Sequence, residues 1–331
     1  MRDSVAANLL RAVYRRHQAR KHVRDVAPVK VRPAARGEML CFAATRDEML
    51  RLPDFLQHYR ALGVDRFVVV DKGSTDGSAA YLADQHDVDL FSTDASFSET
   101  RGGKFWLGGL ARGPYAGCWG VLSDADEQLV YDGCERHGLH ALARLLEARG
   151  LRSMPAMMID MYPDGPFRQA RLAPGQRLTD LCPLFDAIGY REVEPVKGGP
   201  PSRRRKYAGG ARERLFSSPV QTFELELGKT PFLRWDRAVT LFDAHTVHPF
   251  ALNFTAPAGA LLHFKLMSDF EERAETAIRR VSHANSSRDY RLSLPLARGA
   301  PGLSGVWEGS RRYEGSSSLV EAGLMSAIDW P

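Results

Sequence analysis

The sequence predicts an α/β fold with a mainly parallel central sheet. Short apolar runs that suit buried strands alternate with stretches whose apolar residues recur every three or four positions, as on one face of a helix. Polar clusters follow the ends of several of these runs. The 331 residues are 44% hydrophobic and 26% charged, a globular composition that excludes disordered, fibrous and coiled-coil proteins.

The first part of the predicted sheet contains three strands and two helices. The strands are predicted at 39–44, 67–70 and 88–91, where apolar residues are continuous or β-branched. A helix is predicted at 49–62 from its three- and four-residue spacing, and a second helix around residues 81–82. Such a β-α-β-α-β series favours parallel strands joined by right-handed crossovers.

The remaining elements follow the same reasoning. The sequence predicts a helix with a loose loop within 101–117, buried strands at 118–122 and 260–264, a helix that begins with a capping box at Ser268, and an irregular C-terminal part with one short helix near 319–328. The chain is therefore expected to divide into a basic arm (1–37), an α/β domain (38–283) and an irregular or helical extension (284–331).

Candidate functional residues lie where the predicted strands end. Clusters at 45–48 and 71–77 follow the first two strands, and Asp124, Asp126 and Glu127 follow the fourth. Ligands of parallel sheets bind beyond the carboxyl ends of the strands. Asp124 and Asp126 share strand parity, so both are expected to face one ligand. Three carboxylates within four residues repel one another unless a cation neutralises them. Mg²⁺ or Mn²⁺ is a suitable cation, because these ions prefer oxygen ligands and commonly bind one or two carboxylates together with substrate phosphates.

Several motifs occur in a characteristic order along the chain. They are Thr45-Arg46-Asp47-Glu48, Leu52-Pro53-Asp54-Phe55-Leu56, Val70-Asp71-Lys72-Gly73-Ser74-Thr75-Asp76-Gly77, Asp124-x-Asp126-Glu127, Gly209-Gly210-x-Arg212-x-Arg214, Lys229-x-Pro231-Phe232 and His263-Phe264-Lys265. In this order they resemble the family 2-type glycosyltransferases, which have the GT-A fold, a Rossmann-like nucleotide-diphospho-sugar transferase fold. The nearest subgroup is a set of bacterial proteins related to family 92. The resemblance covers about residues 38–270, and nothing before Gly37 takes part.

The resemblance implies a metal-dependent glycosyltransferase with a nucleotide-diphosphate-sugar donor and Mn²⁺ or Mg²⁺. Carried over residue by residue, it implies that Thr45, Arg46, Glu48 and Asp71 contact base and ribose, Asp124 the ribose or metal, and Asp126 and His263 the metal. Two departures leave the donor open: Lys72 replaces the usual Asn of its turn, and Arg46-Asp47 replaces the more frequent Asn before Glu. Without the resemblance, a histidine in the apolar run at 260–264 is typical of a core residue.

Transfer with inversion, which the resemblance also implies, needs a general base for the acceptor hydroxyl. Glu127 and Asp160 are the main candidates, although the parity of Glu127 turns it away from Asp126 and fits a structural role equally well. Further candidates are Asp164, Asp180 and Asp186.

The segment 197–214 is predicted to be a mobile loop. It contains seven basic residues and one acid. One interpretation is a lid that brings Arg212 or Arg214 to the diphosphate of the donor. The alternatives are recognition of an anionic acceptor and a solvated, charged loop.

The N-terminal arm carries most of the positive charge. Residues 1–36 hold ten Lys/Arg and two Asp, and their apolar residues have helical spacing, a pattern suited to an anionic membrane surface or an acidic partner. A solvated extension is the alternative, and nothing indicates nucleic-acid binding. Four cysteines without a CxxC motif, and no apolar signal region, predict a cytoplasmic protein, peripheral at the inner face of the plasma membrane if the arm binds lipid.

The predicted function is transfer of a sugar to a cell-surface glycan or its lipid-linked precursor. A nucleotidyltransferase of similar fold is an alternative, although residues 41–45 lack its glycine-rich phosphate loop. A phosphatase with Asp124 as nucleophile is a further alternative. In such an enzyme the nucleophilic Asp normally follows the first strand, whereas Asp124 follows the fourth. A non-catalytic, membrane-tethered binding module is the alternative from another class.

Overall fold

The structure, a computed structural model, describes residues 5–33, 35, 37–194, 202–217, 225–280 and 287–331. Its described strands are β1 (Ala27–Lys30), β2 (Met39–Thr45), β3 (Arg66–Asp71), β4 (Val88–Ser92), β5 (Trp119–Leu122), β6 (Glu127–Val130), β7 (Ser153–Tyr162), β8 (Leu184–Asp186), β9 (Arg191–Glu192), β10 (Tyr207–Ala208), β11 (Gly228–Arg234), β12 (Thr240–Leu241), β13 (Val247–His248), β14 (Gly259–His263) and β15 (Ser310–Arg312). Its described helices are α1 (Val5–His22), α2 (Leu52–Ala61), α3 (Ser78–Asp84), α4 (Lys104–Arg112), α5 (Leu139–Ala148), α6 (Leu178–Leu181), α7 (Gly210–Phe216), α8 (Phe270–Arg280), α9 (Arg288–Gly299) and α10 (Ser316–Glu321).

A large mixed sheet organises the molecule. Its strands lie in the order β1, β4, β3, β2, β5, β11, β7, β14, β6, and β8 pairs with both β7 and β15. The adjacent strands β4, β3, β2 and β5 are parallel to one another, as are β7 and β14, whereas β1, β11 and β6 run antiparallel to the strands beside them. The predicted α/β class with a mainly parallel sheet centre is confirmed.

The central strands are buried on both faces. On β2, Met39 and Cys41 belong to one hydrophobic core, whereas Leu40 and Phe42 point into another on the opposite face. This alternation follows from the two-residue period of a strand, and burial of both faces explains why the parallel strands read as continuous apolar runs. Because the faces are covered, polar chemistry is confined to the strand ends.

The register of the sheet brings distant polar residues side by side. Thr45 at the end of β2 lies beside Asp71 at the end of β3. His263 at the end of β14 lies between Asp160 of β7 and Glu127 of β6. Three segments that are separated by more than 30 residues in sequence therefore meet at one position of the sheet.

Two sequence predictions about irregular segments need correction. Part of the predicted loop 197–214 lies outside the described residues, but its end forms helix α7, whose Arg212 is anchored on Asp160. The C-terminal part contains helix α9 and strand β15 as well as the predicted short helix, which is observed as α10. Helix α9 has an apolar face but includes Pro295, so its helical pattern was obscured.

The C-terminal residues are packed into the rest of the molecule. Leu319, Met325 and Ile328 belong to the main hydrophobic core. The indole of Trp330 stacks on His137, with 4.2 Å between ring centroids. None of the helices that the structure describes combines the length and apolar character needed to cross a bilayer.

Candidate active site

Two loops at the carboxyl ends of β2 and β3 are joined by hydrogen bonds. The carboxylate of Asp71 accepts from the backbone N–H (3.0 Å) and hydroxyl (2.5 Å) of Ser74. Asp47 accepts from the backbone N–H of Thr75 at 2.8 Å, and the hydroxyl of Ser78 accepts from the backbone N–H of Glu48 at 3.0 Å. Asp71 thus supports its own turn, and the cross-bonded loops fix the backbone of Glu48.

Thr45, at the end of β2, carries a buried hydroxyl with unused hydrogen-bonding capacity. The residue is 1% exposed, and its Oγ1 has no hydrogen-bond partner among the residues that the structure describes. Buried hydroxyls are normally satisfied. An unsatisfied one at the end of a central parallel strand suits a position that receives a ligand. Arg46, the next residue, lies with Nε 3.7 Å from Asp47 Oδ2.

Arg273 of α8 connects Glu48 to Asp126. Its guanidinium lies 3.0 and 3.2 Å from the two carboxylate oxygens of Glu48 and 3.2 Å from Asp126 Oδ2. Burial by itself disfavours ionisation of Asp126, but the charge of Arg273, with smaller contributions from Lys265 and Arg51, outweighs it and lowers the pKa of Asp126. Asp126 is therefore a carboxylate at neutral pH despite being 5% exposed.

A second buried chain of contacts runs from Asp126 through His263 to Asp160. Asp126 Oδ2 lies 3.8 Å from His263 Nε2, and Asp160 Oδ1 lies 3.2 Å from His263 Nδ1. Burial and the nearby charge of Arg212 lower the pKa of His263 to about 4, so its ring is neutral at pH 7. The tautomer that satisfies Asp160 carries its proton on Nδ1, which leaves the lone pair of Nε2 facing the Asp126 carboxylate.

Asp126 and His263 are suited to hold a divalent cation. Two electron-pair donors that face each other favour a positive charge, and a histidine whose other nitrogen donates to a carboxylate is the usual form of a metal ligand. Among the described residues, however, no group of three or more His, Cys, Asp or Glu side chains is arranged to hold a metal ion. Mg²⁺ and Mn²⁺ commonly complete such a partial site with substrate phosphates and water.

Asp124 lies in a different environment from Asp126. Its two carboxylate oxygens are 2.9 Å from Lys104 Nζ and 3.6 Å from Lys229 Nζ. Strand parity, the basis for expecting Asp124 and Asp126 to face one ligand, does not continue past β5, because β5 ends at Leu122 and residues 123–126 form a turn closed by a 3.0 Å hydrogen bond from Glu127 N–H to the Asp124 carbonyl. The positive charge of Lys265 nevertheless helps to lower the pKa of both carboxyl groups, and a shared ligand stays a prediction.

The two candidates for the general base are both held in buried ion pairs. Glu127 Oε2 lies 2.5 Å from Lys229 Nζ and accepts from the backbone N–H of Asp124 at 3.1 Å. Asp160 accepts from Arg212 Nε at 2.6 Å. Each carboxylate is 2% exposed, and burial raises the pKa of Glu127. Through these contacts Glu127 holds Lys229 and the backbone of Asp124 in place, and Asp160 holds Arg212.

The two arginines of the predicted lid have different surroundings. Arg212 joins the site through Asp160, whereas Arg214 pairs with Asp186 at 2.8 Å and lies 4.6 Å over the Trp307 ring. Only Arg212 is therefore connected to His263. The other arginine fixes α7 against the C-terminal part of the chain.

Sequence reasoning missed most of the cations of the site. Lys104 of α4, Lys229 of β11 and Arg273 of α8 each contact the acidic cluster after β5. Lys104 and Lys229 are 4% exposed, which is unusual for lysine and marks them as paired groups. For Lys104 and Lys229 the available signal was a lysine beside apolar residues of a helix or strand, which does not identify its partner, whereas Arg273 lies in a helix rich in charged residues and gave no such signal.

A cavity of about 200 Å³ lies away from this edge of the sheet. It is bounded by the early residues of β7 and β14, by Arg204 and Tyr207, and by Met325 near the C-terminus. Lys229 lines the cavity and also contacts Asp124 and Glu127, so it is the residue shared by the cavity and the acidic cluster.

Comparisons with known proteins return structural likenesses only. No protein-family model matches the chain, and no curated protein sequence matches it. A mannosyltransferase from Pyrobaculum calidifontis in complex with GDP-Man and Mn²⁺ is 19% identical over 49% of this chain and 45% of its own, with a TM-score of 0.26. The mannosyl-3-phosphoglycerate synthase from Rubrobacter xylanophilus is 18% identical over 44% of each chain, with a TM-score of 0.22.

A third solved structure spans more of the chain. A putative glucose-1-phosphate thymidylyltransferase from Bacillus anthracis is 8% identical over 89% of this chain and 97% of its own, with a TM-score of 0.30. This chain covers less than half the length of the first two structures, 45% and 44% respectively.

Proposed function

We propose that this chain is a GT-A-type glycosyltransferase that takes its sugar from a nucleoside-diphosphate donor. The observation that supports this most is the facing pair of Asp126 and a neutral His263, 3.8 Å apart, beside the ends of the central strands. A reaction in which a diphosphate is the leaving group needs a divalent cation that also contacts the phosphate oxygens. Two electron-pair donors that face each other are suited to hold such a cation. The buried, unsatisfied hydroxyl of Thr45 adds a ligand contact at the same edge.

The positive side chains around the acidic cluster support an anionic substrate. Departure of a nucleoside diphosphate builds negative charge on its phosphate oxygens, and fixed cations stabilise that charge best in a site from which water is largely excluded. Lys104, Lys229 and Arg273 provide three such cations. When bound, Mn²⁺ or Mg²⁺ at Asp126 and His263 would supply further positive charge to the departing diphosphate.

We assign Glu127 and Asp160 to positioning. Asp160 orients the His263 ring and keeps its Nε2 free of a proton, and Arg212 neutralises Asp160. Glu127 holds Lys229 and the backbone of Asp124. The inverting outcome, the glycan or lipid-linked acceptor, and contacts of Arg46, Glu48 and Asp71 with the nucleotide stay predictions from the sequence resemblance.

Calorimetry with UDP and GDP tests the proposal. We expect one of them to bind in Mn²⁺ and to bind at least about tenfold more weakly in EDTA, a loss of roughly 1.4 kcal/mol. Asp126→Asn and His263→Gln should remove this dependence on Mn²⁺. Asp87→Asn is a matched control, because Asp87 is also a largely buried, arginine-paired aspartate but lies at the opposite end of the sheet. Equal binding by wild type and Asp126→Asn in Mn²⁺ would contradict the proposal.

The products formed from a panel of nucleotide sugars separate the alternatives. A glycosyltransferase releases the nucleoside diphosphate by slow donor hydrolysis even without its acceptor. A nucleotidyltransferase instead releases pyrophosphate from a nucleoside triphosphate and a sugar phosphate, and the loop after β2, residues 46–51, contains no glycine to wrap a triphosphate. Nucleotide binding without turnover of any donor would favour the non-catalytic module.

A further inference from the structure

Helix α1 is fixed on the body of the protein by one face. Asn8, Ala12 and Ala19 are buried along it, at 5%, 1% and 4% exposure. The helix approaches α4 so closely that a Cβ atom on Gly109 would lie 2.7 Å from the Ala19 carbonyl oxygen. Arg16 Nη2 also donates to the Ala238 carbonyl at 3.0 Å. Because one face of α1 packs on the body of the protein, the opposite face points away from it.

The opposite face exposes four large apolar side chains. Leu9, Leu10, Val13 and Tyr14 are 54%, 70%, 54% and 60% exposed. At 100° per residue they lie across the helix from the attached face. Packing against the part of the chain that the structure describes does not cover this group of large apolar side chains. Single exposed apolar residues are common, but clustered ones mark interaction sites.

Basic residues follow the apolar ones on the same outer face. His17, Arg20 and Lys21 of α1 are exposed, and so is Arg24 in the 3-10 turn Val23–Asp25 that follows the helix. Residues 1–36 contain ten Lys/Arg and two Asp, whereas the remainder of the chain contains 35 Lys/Arg and 38 Asp/Glu. The charge is thus concentrated beside the apolar group, and it complements an anionic surface.

We propose that the outer face of α1 docks the protein on an anionic phospholipid bilayer. Leu9, Leu10, Val13 and Tyr14 enter the boundary between headgroups and acyl chains, and Arg20, Lys21 and Arg24 contact lipid phosphates. A protein interface typically has an apolar centre surrounded by a polar rim. Here the apolar and basic groups instead lie end to end on a convex helix, which matches a helix lying in the plane of a membrane surface. This inference does not depend on the proposed function.

Co-sedimentation of the full chain with vesicles tests the docking. We expect binding to vesicles that contain phosphatidylglycerol, little binding to pure phosphatidylcholine, and weaker binding at higher salt. The paired change Leu9→Ser and Leu10→Ser, and the paired change Arg20→Gln and Lys21→Gln, should each weaken binding on the order of tenfold or more. These side chains are exposed, so the variants should keep the wild-type circular dichroism spectrum.

Matched control variants separate docking through α1 from nonspecific binding of the protein to vesicles. Ile188→Ser with Leu296→Ser removes two apolar side chains that are 58% and 40% exposed elsewhere. Arg311→Gln with Arg312→Gln removes two exposed charges of β15. Both controls should bind as wild type does. Equal binding to neutral and anionic vesicles, binding to soluble polyglutamate but not to vesicles, or wild-type binding by the α1 variants would each overturn the proposal.

Discussion

The guanidinium of Arg273 lies 3.2 Å from Asp126 Oδ2, the same oxygen that lies 3.8 Å from His263 Nε2. Arg273 is also bidentate to Glu48. Arg273 is therefore the nearest cation to both Asp126 and Glu48, and Arg51 Nη1 lies farther away, 3.7 Å from Glu48 Oε2. A divalent ion that binds at Asp126 and His263 must compete with Arg273 for this oxygen.

Replacing Arg273 should make the protein both less stable and more responsive to metal. Arg273→Met leaves the buried Asp126 without its nearest cation and leaves the partly buried Glu48 with the more distant Arg51, which we expect to destabilise the fold by about 3–5 kcal/mol. Mn²⁺ bound at Asp126 and His263, as proposed, would stabilise the folded chain and should restore part of this loss. The measurement is Tm with and without Mn²⁺, and the increase on adding Mn²⁺ should be larger for the variant than for wild type.

Arg279→Met is the control for this experiment, because Arg279 lies on the same helix and, among the described residues, donates to Thr276 at the surface. It should show the wild-type increase. A smaller Mn²⁺-induced increase in Arg273→Met than in wild type would mean that Arg273 does not compete with a cation.

Lys229 and Glu127 should be energetically coupled. Both are buried and their charged atoms are 2.5 Å apart, so Lys229→Met leaves a buried carboxylate without compensation. We expect a loss of about 3–5 kcal/mol in the free energy of unfolding in urea. Adding Glu127→Gln should recover a large part of it, because the uncompensated charge disappears. If the double variant lost as much free energy of unfolding as the two single variants together, Lys229 and Glu127 would not interact.

His58 should make stability depend on pH. Its Nε2 donates to the Leu129 carbonyl at 2.9 Å, and burial lowers its pKa from 6.5 to about 4. Between these two values the unfolded chain binds a proton that the folded chain does not, so the free energy of unfolding falls as the pH falls. The two pKa values of His58 correspond to a change of roughly 3 kcal/mol in the free energy of unfolding.

Urea unfolding at pH 7 and pH 4.5 measures this contribution. His58→Gln keeps a donor for the Leu129 carbonyl and should reduce the difference in stability between the two pH values. His86→Gln, at an exposed histidine, is the control and should leave it near the wild-type value. An unchanged difference in His58→Gln would rule out His58 as a source of acid sensitivity.

Gly109 should be required for the attachment of α1. A Cβ atom there would lie 2.5 Å from Val23 Cβ and 2.7 Å from the Ala19 carbonyl oxygen. Although alanine normally stabilises a helix by about 1 kcal/mol relative to glycine, Gly109→Ala should detach α1 and increase proteolysis within residues 20–26. Gly108→Ala is a close control, because its Cβ would make only an ordinary 3.6 Å contact with Leu241. Equal rates of cleavage in the two variants would contradict the close packing.

The central strands could be predicted because their local pattern is unambiguous. The strands predicted at 39–44, 67–70 and 88–91 agree with β2, β3 and β4 to within one residue at each end. Continuous apolar runs bounded by polar clusters leave few alternatives once two helices separate them. Helix α9 was missed because Pro295 and polar residues interrupt its pattern, and tertiary packing of Tyr290 and Leu294 outweighs that weak propensity.

The acidic half of the candidate site could be predicted, but its cations could not. Asp124, Asp126 and Glu127 are adjacent in sequence and follow a strand, so their location at the sheet edge was expected. Lys229 and Arg273 are 102 and 147 residues away from their acidic partners. Their approach depends on the antiparallel insertion of β11 and on the direction of α8, neither of which a local pattern specifies.

The most direct test of the site is a crystal of the protein soaked with Mn²⁺ and the nucleoside diphosphate that binds best, examined by the anomalous scattering of manganese. We predict an anomalous peak at about 2.0–2.3 Å from both an Asp126 carboxylate oxygen and His263 Nε2, with Arg273 moved off Asp126 Oδ2. Density for the diphosphate without any manganese peak there, and with Arg273 still on Asp126, would contradict the assignment.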